Sequence, residues 1–136
     1  MNNTVMVVDD ETVLAGAMRD YLGRHGYAVQ VKSSGEEALK TIELEPPDIV
    51  VLDYRLPRMD GLELIGRLRK STPELPIVLV SGYVDTMGMN EASTGADVVI
   101  QKSANEVSHL VRSVNRLLRR KSLQEFSKVH DGLDFS

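Results

Sequence analysis

Cysteine and tryptophan are absent from this 136-residue chain, and aromatic residues make up only 4% of it. The lack of Cys excludes disulfide scaffolds, thiolate zinc sites and cysteine nucleophiles, and it favours a reducing compartment. The scarcity of aromatic side chains argues against a base-stacking platform for nucleic acid. Apolar runs are too short to cross a membrane, and acidic residues come too early for a signal peptide. We therefore expect a cytoplasmic domain that binds neither membranes nor, by itself, nucleic acid.

The residues that are present are typical of one folded domain, with 42% hydrophobic and 26% charged residues. A chain of this length buries enough surface to fold without disulfides or a structural metal. The net charge of −4 hides an uneven layout, because residues 1–111 hold 10 basic and 17 acidic residues, while residues 112–121 hold five basic and no acidic ones. This layout predicts an acidic site in the body of the domain and a basic partner surface near the end of the last helix.

Short apolar runs alternate with longer amphipathic stretches, which is typical of βαβ units with a parallel sheet. The runs are mostly β-branched and apolar on both faces, so we expect helices to cover every strand on both sides. The chain is therefore predicted to be an α/β fold, an open doubly wound sheet of five parallel strands with five helices. The predicted strands are Val5 to Val8, Ala28 to Val31, Ile49 to Leu52, Ile77 to Val80 and Val98 to Ile100.

Helix boundaries are indicated by capping residues. The first helix covers about Glu11 to His25, and Gly26 is expected to form a left-handed cap. The fourth, around Thr86 to Ser93, contains weak helix formers and is expected to be short or mobile. The second, third and fifth helices each follow a residue with Glu three positions later, the capping-box spacing. These residues are Ser34, Asp60 and Ser103.

The fifth helix carries an apolar stripe that ends at Leu118 and loses its register from Ser122 onward. A stripe of this kind is the face that a helix buries against a sheet. Terminal segments that lack such a face are commonly poorly ordered or act as connections. We therefore divide the chain into a domain over residues 1–121 and a C-terminal tail or linker over residues 122–136.

Polar residues end four of the predicted strands. Parallel strands bring their carboxyl ends to one edge of the sheet, where open doubly wound folds bind ligands. Crowded carboxylates repel one another unless a cation neutralises them, and oxygen ligands without His or Cys suit Mg²⁺. A carboxylate beside such a metal can act as a nucleophile toward a phosphoryl group whose oxygens contact a lysine and a hydroxyl. The residues concerned are Asp9, Asp10, Glu11, Asp53, Ser81 and Lys102.

Each of these residues has an ordinary structural explanation when it is taken alone. An Asp after a strand often caps the next helix, a Ser forms a turn and a Lys carries a solvated charge. Their joint position at successive strand ends makes coincidence a poor explanation. The chain lacks a GxSxG elbow and both glycine-rich phosphate loops, and its His residues are too dispersed to be zinc ligands.

With these residues the sequence resembles the receiver domains of bacterial two-component response regulators, the CheY-like family. The resemblance covers about residues 4 to 120 and implies a flavodoxin-like sheet with the strand order 2-1-3-4-5. The segments that carry it are VMVVDDE (Val5 to Glu11), IVVLDYRLPRMDGLEL (Ile49 to Leu64), IVLVSGY (Ile77 to Tyr83), GAD (Gly95 to Asp97) and Lys102.

The resemblance implies that Asp53 accepts a phosphoryl group from a sensor histidine kinase or a phosphotransfer protein. It also implies a Mg²⁺ or Mn²⁺ ion that Asp10, Asp53 and the backbone carbonyl of Arg55 bind directly and Asp9 binds through a water. The domain would then act as a phosphoacceptor, with at most a self-catalysed dephosphorylation, rather than as an enzyme.

The resemblance further implies that Ser81 moves to the phosphoryl group and that Lys102 pairs with it. Pro57, Asp60 and Gly61 would shape the loop after Asp53. The output would be a downstream effector or a fused output domain. It would be reached through the face formed by the fourth helix, fifth strand and fifth helix, a face that also serves homodimers.

Two positions depart from the family pattern. Val99 stands where a switching Tyr or Phe is usual, so we take Tyr83, the nearest aromatic residue in sequence, as a candidate gate. Ser103 stands where a cis-Pro usually follows the lysine. A non-proline cis bond costs about 2.5–4 kcal/mol, so we expect either a trans bond with a slightly displaced Lys102 or a strained exception. Arg55 and Tyr83 together could screen the hydrolytic water, which leaves the phosphoryl lifetime open.

Three functions are compatible with these residues. The leading one is a phosphorylation-switched signalling module. The second is a receiver-like adaptor or dimerisation module that works without phosphorylation, which Val99 and Ser103 favour and the intact acidic residues and lysine oppose. The third, an aspartyl-phosphate phosphohydrolase, ranks last because Arg55 stands where such enzymes need a second acid.

Overall fold

A five-stranded parallel sheet with the strand order 2-1-3-4-5 forms the centre of the computed structural model, which describes residues 3–82, 88–102 and 106–132. This is the sheet that the sequence predicts. The strands are β1 (Thr4–Val8), β2 (Ala28–Lys32), β3 (Ile49–Asp53), β4 (Ile77–Ser81) and β5 (Val98–Gln101). The helices within these ranges are α1 (Thr12–Arg24), α2 (Gly35–Leu44), α3 (Gly61–Ser71), α4 (Glu91–Thr94) and α5 (Glu106–Gly132).

The core lies in two layers, one on each face of the sheet. Along β1, Val5 and Val7 pack with α1 and α5, whereas Met6 and Val8 pack with α2 and α3. This alternation follows from the two-residue period of a strand. Every residue of β3 and β4 is buried, as the sequence predicts for strands covered on both sides.

The prediction of two-sided burial is wrong for β2, in which Ala28 and Gln30 are exposed. The reason is its position, because β2 lies at the edge of the sheet and pairs only with β1. An apolar sequence in this strand therefore does not by itself distinguish an edge strand from a central one.

The predicted helix starts are confirmed where the structure describes them. Ser34 Oγ accepts a hydrogen bond from Glu37 N at 3.2 Å, and Asp60 Oδ1 accepts one from Glu63 N at 2.9 Å. The Glu37 side chain accepts from the Ser33 hydroxyl, at 3.1 Å. Gly26 has a φ of 91°, the left-handed conformation expected after the first helix.

Helix α4 is shorter than predicted, since it begins only after Asn90, whose side chain accepts from Ser93 N at 2.8 Å. The first two residues of the predicted helix, Thr86 and Met87, lie outside the described residues, as does the predicted cap Ser103.

Helix α5 continues beyond Lys121 to Gly132, although its apolar stripe ends earlier. Residues 122–129 are exposed, so the helix leaves its packed environment at the place where the stripe loses register. Leu, Gln, Glu and Lys in this stretch are good helix formers, which is why the helix persists without a buried face. The domain boundary at residue 121 stays a prediction. No helix in the described ranges is long and apolar enough to span a membrane.

Candidate functional site

The carboxyl edge of the sheet collects acidic side chains from two neighbouring interior strands. Asp9 and Asp10 directly follow β1, and Asp53 is the last residue of the neighbouring β3. One carboxylate oxygen from each of the three lies within 4.8 Å of the others. Asp9 and Asp53 are buried, whereas Asp10 is exposed to solvent. The structure thus brings together the three acids that the sequence places at strand ends.

Lys102 reaches this cluster from β5. Its Nζ donates a hydrogen bond to Asp53 Oδ2 at 2.9 Å, across the end of β4. The backbone of Lys102 is held as well, because its N–H donates to the carbonyl of Ser81 at 2.7 Å. The other oxygen of Asp53 accepts from Arg55 N at 3.2 Å. Asp53 is therefore oriented from two sides, by a cation and by a backbone amide.

Burial and mutual repulsion control the charge states in the cluster. Burial, together with a smaller contribution from the charge of Asp53, raises the pKa of Asp9 to about 6, against the lowering effect of the hydrogen bond from Glu11 N. Burial alone would lower the pKa of Lys102, but the hydrogen bond to Asp53 and the nearby carboxylates outweigh it and leave this pKa above its usual value. Three carboxylates with one lysine leave an excess of negative charge that a divalent cation would neutralise.

Two buried side-chain atoms in the described part of the chain have no hydrogen-bond partner, and both belong to this site. They are Asp9 Oδ2 and Ser81 Oγ. A buried polar atom without a partner costs about 1–3 kcal/mol, so such atoms usually mark a place where another group binds. The Asp9 oxygen adds a hard donor to the cluster, as Mg²⁺ prefers. The residues present therefore fit a magnesium ion.

The loop after β3 is held by a close backbone contact at Gly61. Its N–H donates to the carbonyl of Tyr54 at 2.7 Å, and a Cβ at this position would lie 2.7 Å from the carbonyl oxygen of Asp53. Only glycine fits without displacing the backbone that carries Asp53. The family resemblance implied that Gly61 shapes this loop, and the structure gives close approach rather than an unusual φ angle as the reason.

Two further loop residues were missed from the sequence. Arg58 adopts a left-handed φ of 66°, and its guanidinium forms an ion pair of 3.2 Å with Glu36 at the start of α2. Met59 is buried, and its sulfur would lie 3.0 Å from a Cβ on Gly35. The only sequence signal was their place in the turn between Pro57 and Asp60. These contacts attach the loop after Asp53 to α2.

Of the predicted site residues not yet discussed, the structure describes Val99 but not Tyr83. Val99 pairs with Leu79 and is half-buried against the layer that α2 and α3 cover. At this position Val99 is therefore a partly buried aliphatic residue that packs against the core. Tyr83 and the Lys102–Ser103 bond lie outside the described residues, so the gate and the bond geometry stay predictions.

Fold and site together define a flavodoxin-like α/β domain with an acidic cluster and a lysine at the carboxyl edge of the sheet. A family model described as the response regulator receiver domain matches residues 5–127. The chain therefore belongs to the response regulator receiver domain family.

Curated relatives agree with this membership. The alkaline phosphatase synthesis transcriptional regulatory protein PhoP of Bacillus subtilis is 37% identical over 122 residues, which are 85% of this chain and 50% of PhoP. The response regulator MprA of Mycobacterium ulcerans is 34% identical over 127 residues, 92% of this chain and 54% of MprA. The chain thus spans about half the length of the curated relatives that it matches.

Solved structures show the same fold. A putative response regulator from Chloroflexus aurantiacus is 31% identical, with a TM-score of 0.79 over 88% of this chain and 99% of that one. NtrX from Brucella abortus, solved in complex with ATP, is 28% identical with a TM-score of 0.84, and the match covers 94% of this chain and 29% of NtrX.

Phosphorylation on an aspartate is the general function of this family, whose domains are phosphoacceptors and not classical enzymes. Receiver domains generally bind Mg²⁺ at an acidic pocket, and response regulators partner with histidine kinases and with fused output domains. The phosphorylation-independent adaptor is not favoured by these findings.

Proposed function

We propose that Asp53 is the phosphoacceptor and that a sensor histidine kinase or a phosphotransfer protein is the donor. The observation that carries this assignment is the 2.9 Å contact between Asp53 Oδ2 and Lys102 Nζ beside the carboxylates of Asp9 and Asp10. A carboxylate oxygen of Asp53 forms a bond to phosphorus while the phosphorus–nitrogen bond of the phosphohistidine breaks. The electron pair of that bond stays on the imidazole.

The acidic cluster supplies the metal ligands in this proposal. Asp10, Asp53 and the backbone carbonyl of Arg55 would bind Mg²⁺ or Mn²⁺ directly, and Asp9 would bind it through a water. The bound ion supplies positive charge against the carboxylates and the phosphoryl oxygens. The partnerless Asp9 Oδ2 and the raised pKa of Asp9 support this role, because both indicate that the carboxylate lacks a compensating charge.

Lys102 and Ser81 would bind the transferred group. Once an oxygen of Asp53 is bonded to phosphorus in the acyl phosphate, the negative charge lies on the phosphoryl oxygens, so the ammonium of Lys102 pairs with them instead of with the carboxylate. The buried Ser81 hydroxyl donates to a phosphoryl oxygen and so gains its missing partner.

A change at these residues would reach the partner face through the sheet. The backbone hydrogen bond of 2.7 Å that Lys102 N donates to Ser81 O links the end of β4 to the end of β5. We infer that the face of α4, β5 and α5 transmits the phosphorylated state to a downstream effector, a fused output domain or a second copy. Val99 and Tyr83 would tune this switch, because Val99 replaces the aromatic residue that the family usually has at this position of β5.

The proposal is tested by incubating the chain with acetyl phosphate and Mg²⁺ and measuring its intact mass. We expect an increase of one phosphoryl group that is stable in acid and labile in base, and that Asp53→Asn abolishes. Asp20→Asn is the matched control, because Asp20 is exposed on α1, outside the cluster. An adduct that persists in Asp53→Asn would refute the assignment, and no adduct in the unsubstituted chain would support the adaptor instead.

A further inference from the structure

The outer side of α5, which faces away from the sheet, is strongly basic. Residues 112–121 hold five basic residues, and no acidic residue lies between Glu106 and Glu125 in the sequence. Lys121 is turned toward the domain body, where its Nζ lies 3.5 Å from Asp48 Oδ1. The other four basic residues are exposed, whereas the side of the helix that packs on the sheet is buried. We call these four residues the arginine face, and they are Arg112, Arg116, Arg119 and Arg120.

The arginine face has no partner in the part of the chain that the structure describes, since none of its guanidinium groups forms an ion pair or a hydrogen bond there. Other arginines of the domain pair with carboxylates at 3.0–3.9 Å, and these are Arg19, Arg58, Arg67 and Arg69. Arg116 stands four residues from both Arg112 and Arg120, and like charges at this spacing destabilise a helix. An external anion would relieve this repulsion.

Exposed apolar side chains continue the arginine face toward the end of the helix. Leu123 and Phe126 are 62% and 59% exposed. They follow Arg119 by four and seven residues, a spacing that places them on the same side of the helix. Basic groups together with exposed leucine and phenylalanine are typical of helices that lie in the interface of a membrane.

We propose that the arginine face, together with Leu123 and Phe126, binds an anionic lipid surface. The guanidinium groups pair with lipid phosphates, and the two apolar side chains enter the boundary between headgroups and acyl chains. The expectation of no membrane binding rested on apolar runs too short to span a bilayer, which a helix lying on the surface does not need. This binding uses neither Asp53 nor a metal ion, so it goes beyond the proposed function.

Two observations favour lipid over other anionic partners. Phosphate contacts to duplex DNA would leave Leu123 and Phe126 unused, because the DNA backbone offers them no apolar environment. A docked acidic protein would need guanidinium groups held in defined positions, and among the described residues no hydrogen bond holds those of the arginine face. Lipid headgroups can rearrange around guanidinium groups that nothing else orients.

The net charge of −4 is compatible with this binding. The sheet, with the acidic cluster at its edge, lies on the opposite side of α5 from the arginine face. A helix with its side chains is about 10–12 Å across, which exceeds the Debye length of about 8 Å at physiological ionic strength. Salt therefore screens the repulsion between the cluster and the lipid, whereas the arginine face contacts the headgroups directly.

Co-sedimentation of the full chain with sucrose-loaded vesicles tests the surface. We expect binding to vesicles of phosphatidylglycerol mixed with phosphatidylcholine, and no binding to vesicles of phosphatidylcholine alone. Each arginine near an anionic surface changes the partition coefficient roughly fivefold. Arg112→Gln, Arg116→Gln and Arg119→Gln combined should therefore lower it by about 100-fold.

The matched control removes three exposed cations from α1, α2 and α3, by Arg24→Gln, Lys40→Gln and Lys70→Gln. Both triple variants lose the same charge, so a general effect of net charge would change both equally. All six side chains are exposed, so both variants should keep the fold, which circular dichroism checks. No binding to the anionic vesicles by the unsubstituted chain, or an equal loss in the two triple variants, would overturn the proposal.

Leu123→Gln separates lipid from nucleic acid as the ligand. It should weaken vesicle binding about tenfold, because a polar amide replaces an inserted leucine. Leu44→Gln is its control, since Leu44 is 89% exposed but lies on α2. A short labelled DNA duplex, measured by fluorescence anisotropy in the same buffer, is the alternative ligand. Duplex binding without vesicle binding, or vesicle binding that Leu123→Gln leaves unchanged, would refute insertion into lipid.

Discussion

The buried carboxyl of Asp9 makes the stability of the metal-free protein depend on pH. Folding raises its pKa from 3.8 to about 6, so between these values the native state binds more protons than the unfolded state. The free energy of unfolding therefore falls as the pH rises through this window, by up to about 3 kcal/mol. Asp9→Asn should remove this loss, because the amide oxygen still accepts from Glu11 N without carrying charge.

Denaturant unfolding in the presence of a chelator, at about pH 4 and about pH 7, measures the effect. We expect the variant to gain stability relative to the unsubstituted chain only at the higher pH. Asp20→Asn removes an exposed acid on α1 and serves as the control. The same pH dependence in the Asp9→Asn variant and the unsubstituted chain would contradict the argument.

A second prediction at this scale concerns Arg58. Its φ of 66° is a conformation that costs a non-glycine residue about 1–2 kcal/mol. Its exposed ion pair with Glu36 offsets little of this cost, because solvent screens exposed pairs. Arg58→Gly should therefore raise the free energy of unfolding by about 0.5–1 kcal/mol in denaturant unfolding. Glu36→Gln isolates the contribution of the ion pair, and any net destabilisation by Arg58→Gly would contradict the prediction.

Among the elements, the loop between β3 and α3 tolerates the least change. A Cβ on Gly61 would lie 2.7 Å from Asp53 O and 2.8 Å from Tyr54 Cα, and both of these are backbone atoms. Gly61→Ala should therefore cost on the order of 2–3 kcal/mol in denaturant unfolding and slow phosphorylation of Asp53. Gly66→Ala on the same helix has no atom within 4 Å of its Cβ and should stabilise the fold by up to about 1 kcal/mol. Equal effects of the two substitutions would contradict the steric argument.

Local patterns predicted the elements that depend on local chemistry. The apolar runs gave the strand positions within one residue at each end, and Ser34 and Asp60 marked the starts of α2 and α3. The exposure of β2 could not be predicted from its own residues, because it follows from strand order, which spacing alone does not determine. The continuation of α5 past Lys121 was not predicted. The prediction relied on an apolar stripe that the helix buries, and the exposed turns after Lys121 have no such stripe.

The candidate site was likewise predictable only in the part that follows from the order and direction of the strands. Parallel strands bring Asp9, Asp10 and Asp53 to one edge, so their meeting follows from the topology. The reach of Lys102 across β4 to Asp53, and the burial of the Ser81 hydroxyl without a partner, depend on side-chain placement. The close approach of Gly61 to the backbone of Asp53 depends on how the loop closes.

For the molecule as a whole, the separation of charge links the site to stability. Residues 1–111 hold the acidic excess, and the three acids of the cluster lie at the ends of β1 and β3, two neighbouring interior strands of the sheet. Because a native carboxylate cluster repels itself, the fold carries a cost that a bound cation relieves. A ligand that binds only the native state stabilises it in proportion to the logarithm of its concentration.

Magnesium should therefore raise the free energy of unfolding of the whole domain, by about 2.7 kcal/mol at a concentration of 100 times its dissociation constant. Thermal or denaturant unfolding across a MgCl₂ titration measures this rise, and Asp10→Asn should greatly reduce it because Asp10 is a proposed direct ligand. Sodium chloride at the same ionic strength is the control, since it screens the carboxylates without binding between them. If the sodium salt stabilises the chain as much as magnesium does, or if the Asp10→Asn variant responds fully to magnesium, the cluster is not the metal site.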